Sequence, residues 1–494
     1  MRMKLPSDVK KIIEVLETNG YEAFAVGGCV RDTLLLRIPG DWDITTSARP
    51  EEVKALFPHT IDTGIQHGTV TVVFSSAKND KEHKHTTEEK DVILEETYNS
   101  KQDTDNSVSL KKAGTSSAQK KTYVGYEVTT YRIDGEYEDA RHPKEVTFTA
   151  NLVEDLKRRD FTINAMAYNE RAGIVDEFDG MGDLKKKIIR CVGNPRERFS
   201  EDALRMLRAV RFAAQLGFSI DEETKDAIRE LAPTLKKVSA ERIAVELVKI
   251  LVSDHPEEMR TAYELGLTEI FLPEFDIAMN ALQYNPNHKY TVGEHSIVAM
   301  QHIRADRLLR LVMLLHDLAK PIMHTVDEKG CHHFDGHPQA GADMAKTILR
   351  RLKFDNATID FVYRMICHHD DRPPMTDMPM VRRCISQIGL CNMPMMIEIK
   401  RADIMAQSNY RFKEKMGYVD DLEQAYLEII EKKHCVSKKD LSVNGKDLIA
   451  MGMHSGKELG AILDILFDMV LEDPTLNKRE KLLEQAHKLA TPFI

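Results

Sequence analysis

Two aspartates separated by one residue, Asp41 and Asp43, give the first chemical signal in this 494-residue sequence. They lie in the segment GDWDITT, whose alternation of polar and apolar residues is typical of a half-buried strand. Side chains at positions i and i+2 of a strand project from the same face, so the two carboxylates would converge. Mg²⁺ prefers oxygen ligands and completes its shell with water and phosphate oxygens. The pair therefore predicts a Mg²⁺ site of the kind that activates an attacking hydroxyl and stabilises a leaving pyrophosphate.

A glycine pair upstream strengthens this interpretation, because an isolated acidic pair is more often a solvent-facing strand end. Gly27 and Gly28 stand between a short apolar run and the helical stretch CVRDTLLL. Backbone N–H groups without a neighbouring side chain can approach a phosphate closely there. Arg31, one turn into the helix, could reach the same phosphates. GKS and GKT are absent from the sequence, which argues against a P-loop NTPase.

A second signal is an acid and three arginines that recur at every third position: Asp202, Arg205, Arg208 and Arg211. Ser200 is a preferred N-cap, and acids in the first turn complement the helix dipole, so a helix beginning at Ser200 is predicted. The simplest interpretation is a set of capping acids and an Asp–Arg pair on a solvated helix. The row is too basic for a core position, however, and is a candidate for ligand binding.

A third signal lies in the downstream half, where histidines and aspartates follow the order H…HD…D of HD-type metal phosphohydrolases. Its members are His295, His316, Asp317 and Asp403. Neutral imidazoles and carboxylates are suitable ligands for a borderline divalent metal. His337 and His368 could add contacts to metal or phosphate. The order predicts an HD domain with its own divalent metal, either catalytic or only structural.

The sequence predicts two kinds of region that would position these residues. Up to about residue 175 the pattern is a small mixed α/β unit, with strands expected at 21–26, 41–45, 68–74 and 126–133. The last two are separated by a polar, Ser/Thr/Lys-rich stretch, interpreted as an insertion at about 76–122 across which the strands pair. From Glu201 onward the pattern is helical. We therefore expect an α+β chain: an α/β head, 1–175, and all-α parts at 176–285, 286–405 and 406–494.

Composition excludes several classes of protein. Hydrophobic residues make up 42% and charged residues 30%, which excludes a wholly disordered chain. The sequence has no apolar run long enough for a bilayer, and its first residues do not resemble a signal peptide, so no membrane association is expected. Seven scattered cysteines without a CxxC pair fit a reducing cytoplasm. The net charge of −10 argues weakly against bulk electrostatic binding of nucleic acid.

Taken in order, these motifs resemble the class II tRNA nucleotidyltransferase (CCA-adding enzyme) and bacterial poly(A) polymerase family. AVGGCVRDTLL and GDWDITT are similar to its metal and triphosphate motif, and KRRDFTINAMAY (157–168) to its ribose-selecting motif. DGMGDL (179–184) resembles its hinge, and SEDALRMLRAVRFAAQLGF (200–218) its base-selecting helix with the segment that stabilises it. The resemblance implies a nucleotidyltransferase head, a neck, a body with the HD domain and a tRNA-binding tail.

The resemblance also implies residue roles. Arg159, followed by Asp160, matches the ribose-facing motif, and Asp202 and Arg205 match the positions that contact the incoming base. A carboxylate accepts from an exocyclic amine while a guanidinium donates to the adjacent ring nitrogen, a pattern that suits cytosine and adenine and rejects uracil and guanine. Glu127, on the strand YEVTTYR, is a candidate third carboxylate near the metal.

The function implied is addition of C, C and A to the 3′ end of tRNA from CTP and ATP, with Mg²⁺ and without a nucleic-acid template. The partner implied is tRNA, bound through its 3′ end and acceptor arm. No protein partner is implied. Poly(A) polymerase is the first alternative, although the tail lacks a strongly basic extension and YRIDGEYEDARHPKEVTF (131–148) resembles the flexible loop of full CCA-adding members. The second alternative is an HD-type phosphohydrolase whose head only binds RNA; the intact Asp41, Asp43, Asp202 and Arg205 argue against it.

Overall fold

A computed structural model of the chain describes residues 3–76, 122–135, 146–454 and 456–490. Two compact units are present. The first comprises Met1–Gly135, Glu145–Arg159 and Ile163–Gly180, and the second comprises Asp160–Thr162 and the chain from Met181 onward. The main crossing at Gly180–Met181 lies five residues after the boundary expected at 175. The finer division of the second unit at 285 and 405 stays a prediction, as does the interpretation of the insertion, whose residues 77–121 lie outside the described ranges.

The first unit is built on a seven-stranded sheet in the order β3-β4-β5-β2-β1-β8-β9. Its pairs are antiparallel except for β2 and β5, which run parallel. The strands β4 and β5 pair along their whole lengths, which confirms that they meet across the insertion. The strands are β1 (Ala23–Val26), β2 (Asp43–Thr46), β3 (Thr60–Gly64), β4 (Thr69–Ser76), β5 (Thr122–Thr130), β6 (Arg132–Asp134), β7 (Val146–Phe148), β8 (Met166–Asn169) and β9 (Gly173–Asp176); β6 and β7 form a separate ladder.

The helices of the first unit are short and amphipathic. In the first of them, apolar residues three and four apart are buried, Val9, Ile12, Ile13 and Leu16, so that one stripe is removed from water. Burial of four such side chains stabilises the unit by several kcal/mol, at about 1.5–3 kcal/mol each. The helices are α1 (Ser7–Thr18), α2 (Gly28–Leu34), α3 (Pro50–Leu56), α4 (Leu152–Lys157) and α5 (Gly180–Lys186), the last of which crosses into the second unit.

The second unit is helical, as predicted, with two short additional ladders: parallel β10 (Ile188–Ile189) with β11 (Ser219–Ile220), and the hairpin of β12 (Thr325–Val326) and β13 (His332–His333). No helix among the described residues has the length and apolar composition needed to cross a bilayer. The helices are α6 (Pro195–Glu201), α7 (Leu204–Leu216), α8 (Glu222–Leu231), α9 (Ala240–Leu251), α10 (Met259–Glu264), α11 (Thr268–Phe271), α12 (Pro273–Asn280), α13 (Val292–Gln301), α14 (Arg307–Leu315), α15 (His337–Arg351), α16 (Asn356–His368), α17 (Met378–Ile388), α18 (Met393–Ala406), α19 (Phe412–Glu431), α20 (Gly445–Ala450), α21 (Lys457–Glu472) and α22 (Arg479–Ala490).

One local prediction is wrong: no helix begins at Ser200. Asn194 caps an earlier helix, α6, with Pro195 as its first residue, and Ser200 lies inside it with its hydroxyl donating to the carbonyl of Arg196. The backbone then opens at Asp202 (φ −141°, ψ 103°) before α7 begins. The Asn-Pro pair is a strong start signal that overrides the serine six residues later.

Candidate active sites

The strand register of the first unit brings a third carboxylate beside the aspartate pair. Asp43 is the first residue of β2, Asp41 precedes it by two positions, and both side chains are exposed. Because Ile44 is level with Val128 in the parallel β2–β5 pair, Glu127 is level with Asp43 and also exposed. Side chains level with each other in neighbouring strands share a face of the sheet. The start of β2 and its neighbour β5 therefore offer three carboxylates, a donor set of hard oxygens that suits Mg²⁺.

Two arginines of the same unit, Arg31 and Arg159, lie beside the glycine turn. Gly27 has a φ of 80°, a conformation that favours glycine, and a Cβ atom there would come within 2.9 Å of Arg159 Nη1. Gly28 is the first residue of α2. Arg31 is buried and its guanidinium donates to Asn164 Oδ1 (2.7 Å) and to the Asp32 carboxylate. The predicted phosphate and ribose residues of the head thus surround one turn.

A buried carboxylate, Asp155, contacts Arg159 and its neighbour Arg158. Its oxygens accept from Arg158 (2.9 Å) and from the Thr45 hydroxyl (3.0 Å), and Arg159 Nη2 lies 3.5 Å away. Burial by itself would raise the pKa of Asp155, but the two arginines outweigh it and hold the pKa below its usual value. Asp155 therefore stays ionised and anchors Arg159, and sequence reasoning missed it because it lies two residues before the recognised motif, 157–168.

The break between α6 and α7 places Asp202 where both of its oxygens are engaged. Oδ1 accepts from the backbone N–H of Leu204 (3.0 Å), the first residue of α7, and Oδ2 accepts from Arg242 Nη2 (2.7 Å) on α9. Arg205 donates to the carbonyl of Arg198 and pairs with Glu201. Each carboxylate oxygen has two lone pairs, so Asp202 can still accept from a further donor.

The remaining two arginines of the row have different surroundings. Arg208 donates twice to Asp160 Oδ2, at 2.6 and 2.8 Å, and although burial alone would lower its pKa, Asp160 raises it. Arg211 is 7% exposed, pairs with the buried Glu246 at 3.1 Å and lies over the Phe212 ring. The expectation that this row is too basic for a core is therefore wrong at Arg211, because Glu246 compensates its charge there.

In the second unit, the four predicted HD residues lie together in one buried cluster, which we call the His/Asp centre. His295 comes from α13, His316 and Asp317 directly follow α14, and Asp403 comes from α18. His295 Nε2 lies 2.9 Å from Asp403 Oδ1 and 3.3 Å from His316 Nε2, and His316 Nε2 lies 3.2 Å from Asp317 Oδ2. Residues up to 108 positions apart in the chain therefore lie within hydrogen-bonding distance of each other.

A further histidine pair extends the His/Asp centre on the other side of Asp317. His337 Nε2 lies 3.4 Å and His369 Nε2 3.6 Å from Asp317 Oδ1. His368, which the sequence suggested, instead bonds Asp371 at 2.7 Å outside the centre. Two groups that could hold a metal therefore share Asp317: His295, His316 and Asp317, and Asp317, His337 and His369.

The second ring nitrogens show that these histidines are oriented as ligands. The Nδ1 atoms of His316, His337 and His369 lie 2.9, 2.8 and 2.6 Å from backbone carbonyls, where an N–H must donate. This leaves Nε2 as the ring atom that faces the carboxylates, the orientation found in metal-ligating histidines. Burial alone would lower the pKa of His316, but Asp317 and Asp403 raise it to about 10. The centre thus favours positive charge, and its nitrogen and oxygen donors fit a divalent metal.

Comparison with known families assigns three matching models to this chain. A poly(A) polymerase head domain matches residues 23–109 and 84–190, and an RNA- and SrmB-binding site of polymerase A matches residues 217–279. Domain 2 of tRNA nucleotidyltransferase matches residues 339–486. The last model covers part of the predicted HD domain and the tail, so the HD assignment itself stays a prediction.

Individual relatives carry the likeness further. A CCA-adding enzyme of Ligilactobacillus salivarius is 33% identical over 98% of both chains. One of Limosilactobacillus reuteri is 45% identical over 247 residues, so this chain matches about half the length of that curated relative and half of its own. Among solved structures, the Bacillus stearothermophilus CCA-adding enzyme in complex with CTP covers 99% of this chain and all of its own, with 29% identity and a TM-score of 0.65.

Proposed function

The chain belongs to the family of CCA-adding enzymes, the class II tRNA nucleotidyltransferases, and from this premise we propose that it adds C, C and A to the 3′ end of tRNA from CTP and ATP. The observation that carries the proposal is the end-to-end match to the L. salivarius enzyme. Because its substrate is tRNA, we place the protein in the cytoplasm.

Divalent metal is part of this proposal, and the three carboxylates Asp41, Asp43 and Glu127 would hold Mg²⁺. When bound, the metal lowers the pKa of the attacking hydroxyl and offsets charge on the leaving pyrophosphate. The residues of the chain supply the rest. The backbone of Gly28 and the fixed guanidinium of Arg31 bind phosphate oxygens, and Arg159, anchored by Asp155, faces the ribose.

Base choice is assigned to Asp202 and Arg205. Asp202 accepts from the exocyclic amine of cytosine or adenine, and Arg205 donates to the adjacent ring nitrogen. Arg242 orients the Asp202 carboxylate through its 2.7 Å contact, so the acceptor does not rotate away. Arg208 pairs with Asp160 and Arg211 pairs with Glu246. These two ion pairs fix the position of α7, the helix that carries Arg205.

Replacing Asp202 by asparagine should change this base choice. Asparagine keeps an oxygen that can accept from the Leu204 N–H, so the start of α7 should be retained. It can also donate to uracil O4, while the cytosine amine loses a charge-assisted bond worth about 1.5–3 kcal/mol. UTP incorporation relative to CTP should therefore rise about tenfold or more, measured as the ratio of the two kcat/KM values on tRNA lacking its 3′ end.

The matched control is Asp221→Asn, which makes the same change at an aspartate that accepts from a helix N-terminus in the same unit. Asp221 caps α8 through Thr224 and pairs with Arg190, away from Asp202. It should leave the CTP-to-UTP ratio unchanged. An active, folded Asp202→Asn enzyme that keeps the wild-type ratio would show that this segment does not read the base.

The function itself is tested with radiolabelled CTP and ATP on tRNA that lacks its 3′-terminal CCA. A CCA-adding enzyme adds three nucleotides and stops, whereas a poly(A) polymerase continues with ATP alone. We expect termination after C, C and A. Run-on products would establish the poly(A) alternative, against which the CCA-adding relatives and the tRNA nucleotidyltransferase model already argue.

A second candidate function is favoured by the buried His/Asp centre: metal-dependent hydrolysis of a phosphate ester. Its histidines and carboxylates would hold a second divalent metal, distinct from the Mg²⁺ of the head, which would supply Lewis acidity when bound. In the reaction a water oxygen bonds to phosphorus, the bond from phosphorus to the ester oxygen breaks, and the water's proton passes to the departing oxygen. Lys320 Nζ, 2.6 Å from Asp317 Oδ2, is the cation placed to bind the phosphate.

A further inference from the structure

A cavity of about 250 Å³ lies in the second unit between the end of α12 and the β12–β13 hairpin. Four rings line it: Tyr284, His324, His332 and Phe334. Pockets for drug-sized ligands usually measure about 300–1,000 Å³, so this one has room for a single planar ring system. Neither nucleotide addition nor ester hydrolysis, as described above, uses it.

The rings that line the cavity pack against one another at steep angles. His332 meets His324 at 61° with centroids 4.2 Å apart, and Tyr284 at 84° with centroids 4.9 Å apart. Such a wall can bind a flat heteroaromatic ligand by stacking on one side and by edge contacts on the other. Stacking on aromatic side chains is also how proteins bind unpaired nucleobases.

Lys320 connects this cavity to the His/Asp centre. Its ammonium group lies 2.6 Å from Asp317 Oδ2 and 5.6 Å from the centroid of the Phe334 ring. The next residue, Pro321, lines the cavity, and the carbonyl of Phe334 accepts from His337 Nδ1 at 2.8 Å. One buried cation therefore stands between an aromatic cavity and a centre suited to phosphate chemistry.

One polar side chain at the cavity wall, that of Asn280, offers an acceptor. Asn280 donates its side-chain amide to Tyr263 Oη (3.0 Å) and to the Asp276 carbonyl (2.9 Å), so its Oδ1 atom is what it can offer a ligand. An amide oxygen pairs with an exocyclic amine such as adenine N6 or cytosine N4. Rings, acceptor and neighbouring cation together match one base with its phosphate.

We propose that this cavity binds the base of a nucleotide whose terminal phosphate monoester is directed at the His/Asp centre. The ligand is either a free nucleotide or the phosphorylated 3′-terminal nucleotide of an RNA. This assignment rests on the proposed hydrolase function, because it names the substrate class of that same centre.

The test measures binding and does not depend on turnover. Adenosine 3′-monophosphate is titrated calorimetrically into the full chain with EDTA present, so that metal-dependent hydrolysis is suppressed. Tyr284 is 60% exposed, so Tyr284→Ala should fold normally, yet we expect it to raise the Kd about tenfold, as loss of one stacking ring does. Tyr284→Phe keeps the ring and should retain wild-type affinity, and affinity for inorganic phosphate should be the same in all three proteins.

Val326→Ala is the matched control, since Val326 is an exposed apolar residue of the same hairpin that does not line the cavity. It should bind as the wild type does. Equal affinity of wild type and Tyr284→Ala for adenosine 3′-monophosphate overturns the proposal. An RNA oligonucleotide with a 3′-phosphate that competes in a Tyr284-dependent way identifies an RNA end as the source, and a mononucleotide that alone shows this dependence identifies a free nucleotide.

Cleavage of para-nitrophenyl phosphate with added Mn²⁺ tests the hydrolase separately. If this ester is cleaved but Tyr284→Ala leaves nucleotide affinity unchanged, the hydrolase proposal is supported and the proposed base site is contradicted. If affinity depends on Tyr284 but the ester is not cleaved, the base site stands and the proposed hydrolase function falls.

Discussion

Asp43→Ala and Asp41→Ala should each abolish addition of both C and A, lowering kcat by about a thousandfold or more. Metal stabilisation of the developing charge is worth several kcal/mol, and each 1.36 kcal/mol corresponds to about a factor of ten in rate. Both side chains are exposed, so their removal should leave the free energy of unfolding within about 0.5 kcal/mol of the wild type. The measurement is single-turnover addition to tRNA lacking its CCA end at saturating Mg²⁺, together with the melting temperature.

Asp62→Ala is the matched control for this pair. Asp62 is an exposed aspartate of the same sheet, on β3, and its ion pair with Lys54 is solvent-accessible on both sides. Such a pair is worth about 0–1 kcal/mol, so Asp62→Ala should retain full activity. Substantial nucleotide addition by a folded Asp41→Ala or Asp43→Ala enzyme would contradict the metal assignment, and Glu127 would have to be tested as the main ligand.

Asp317→Asn, combined with His316→Gln, should remove the hydrolase activity and the metal binding that we propose for the His/Asp centre and leave nucleotide addition within about twofold of the wild type. Amides are chosen because Lys320 is 5% exposed and pairs with Asp317. Asparagine keeps an oxygen that accepts from the Lys320 ammonium, whereas alanine would leave that buried cation without this acceptor, which costs about 3–5 kcal/mol. The readouts are metal content by elemental analysis, hydrolysis of para-nitrophenyl phosphate, and CCA addition.

A second histidine–aspartate pair provides the control for this double variant. His368 and Asp371 form their own hydrogen bond outside the centre, so His368→Gln with Asp371→Asn makes the same chemical change one residue away from His369. It should keep both activities and the metal content. If the centre variant and this control lose nucleotide addition to the same extent while folded, the two activities are not independent.

The sequence by itself determined the residue types and the local elements. Val9, Ile12, Ile13 and Leu16 recur with the helical period, and they form the buried stripe of α1, Ser7–Thr18. The apolar run before Gly27 forms the buried strand β1, and the run GTVTVVF forms β4. Local preferences of this kind depend on side chains a few positions apart, which is why pattern and capping signals predict them.

Partners across the chain were decided only by the tertiary structure. The parallel pairing of β2 with β5 puts Glu127 level with Asp43, and α9 supplies Arg242 to Asp202 from 40 positions away. Sequence spacing does not contain these distances, because they depend on which faces of distant elements pack together.

The paired histidines 368 and 369 show the same limit at its smallest scale. Successive residues at the end of a helix point in directions about 100° apart, so a shift of one position decides which ring enters the centre and which faces Asp371. The sequence singled out His368, and the structure places His369 in the centre. The residue types that ligate a metal can be recognised from sequence, but the direction in which each side chain points is set by how the whole helix is packed.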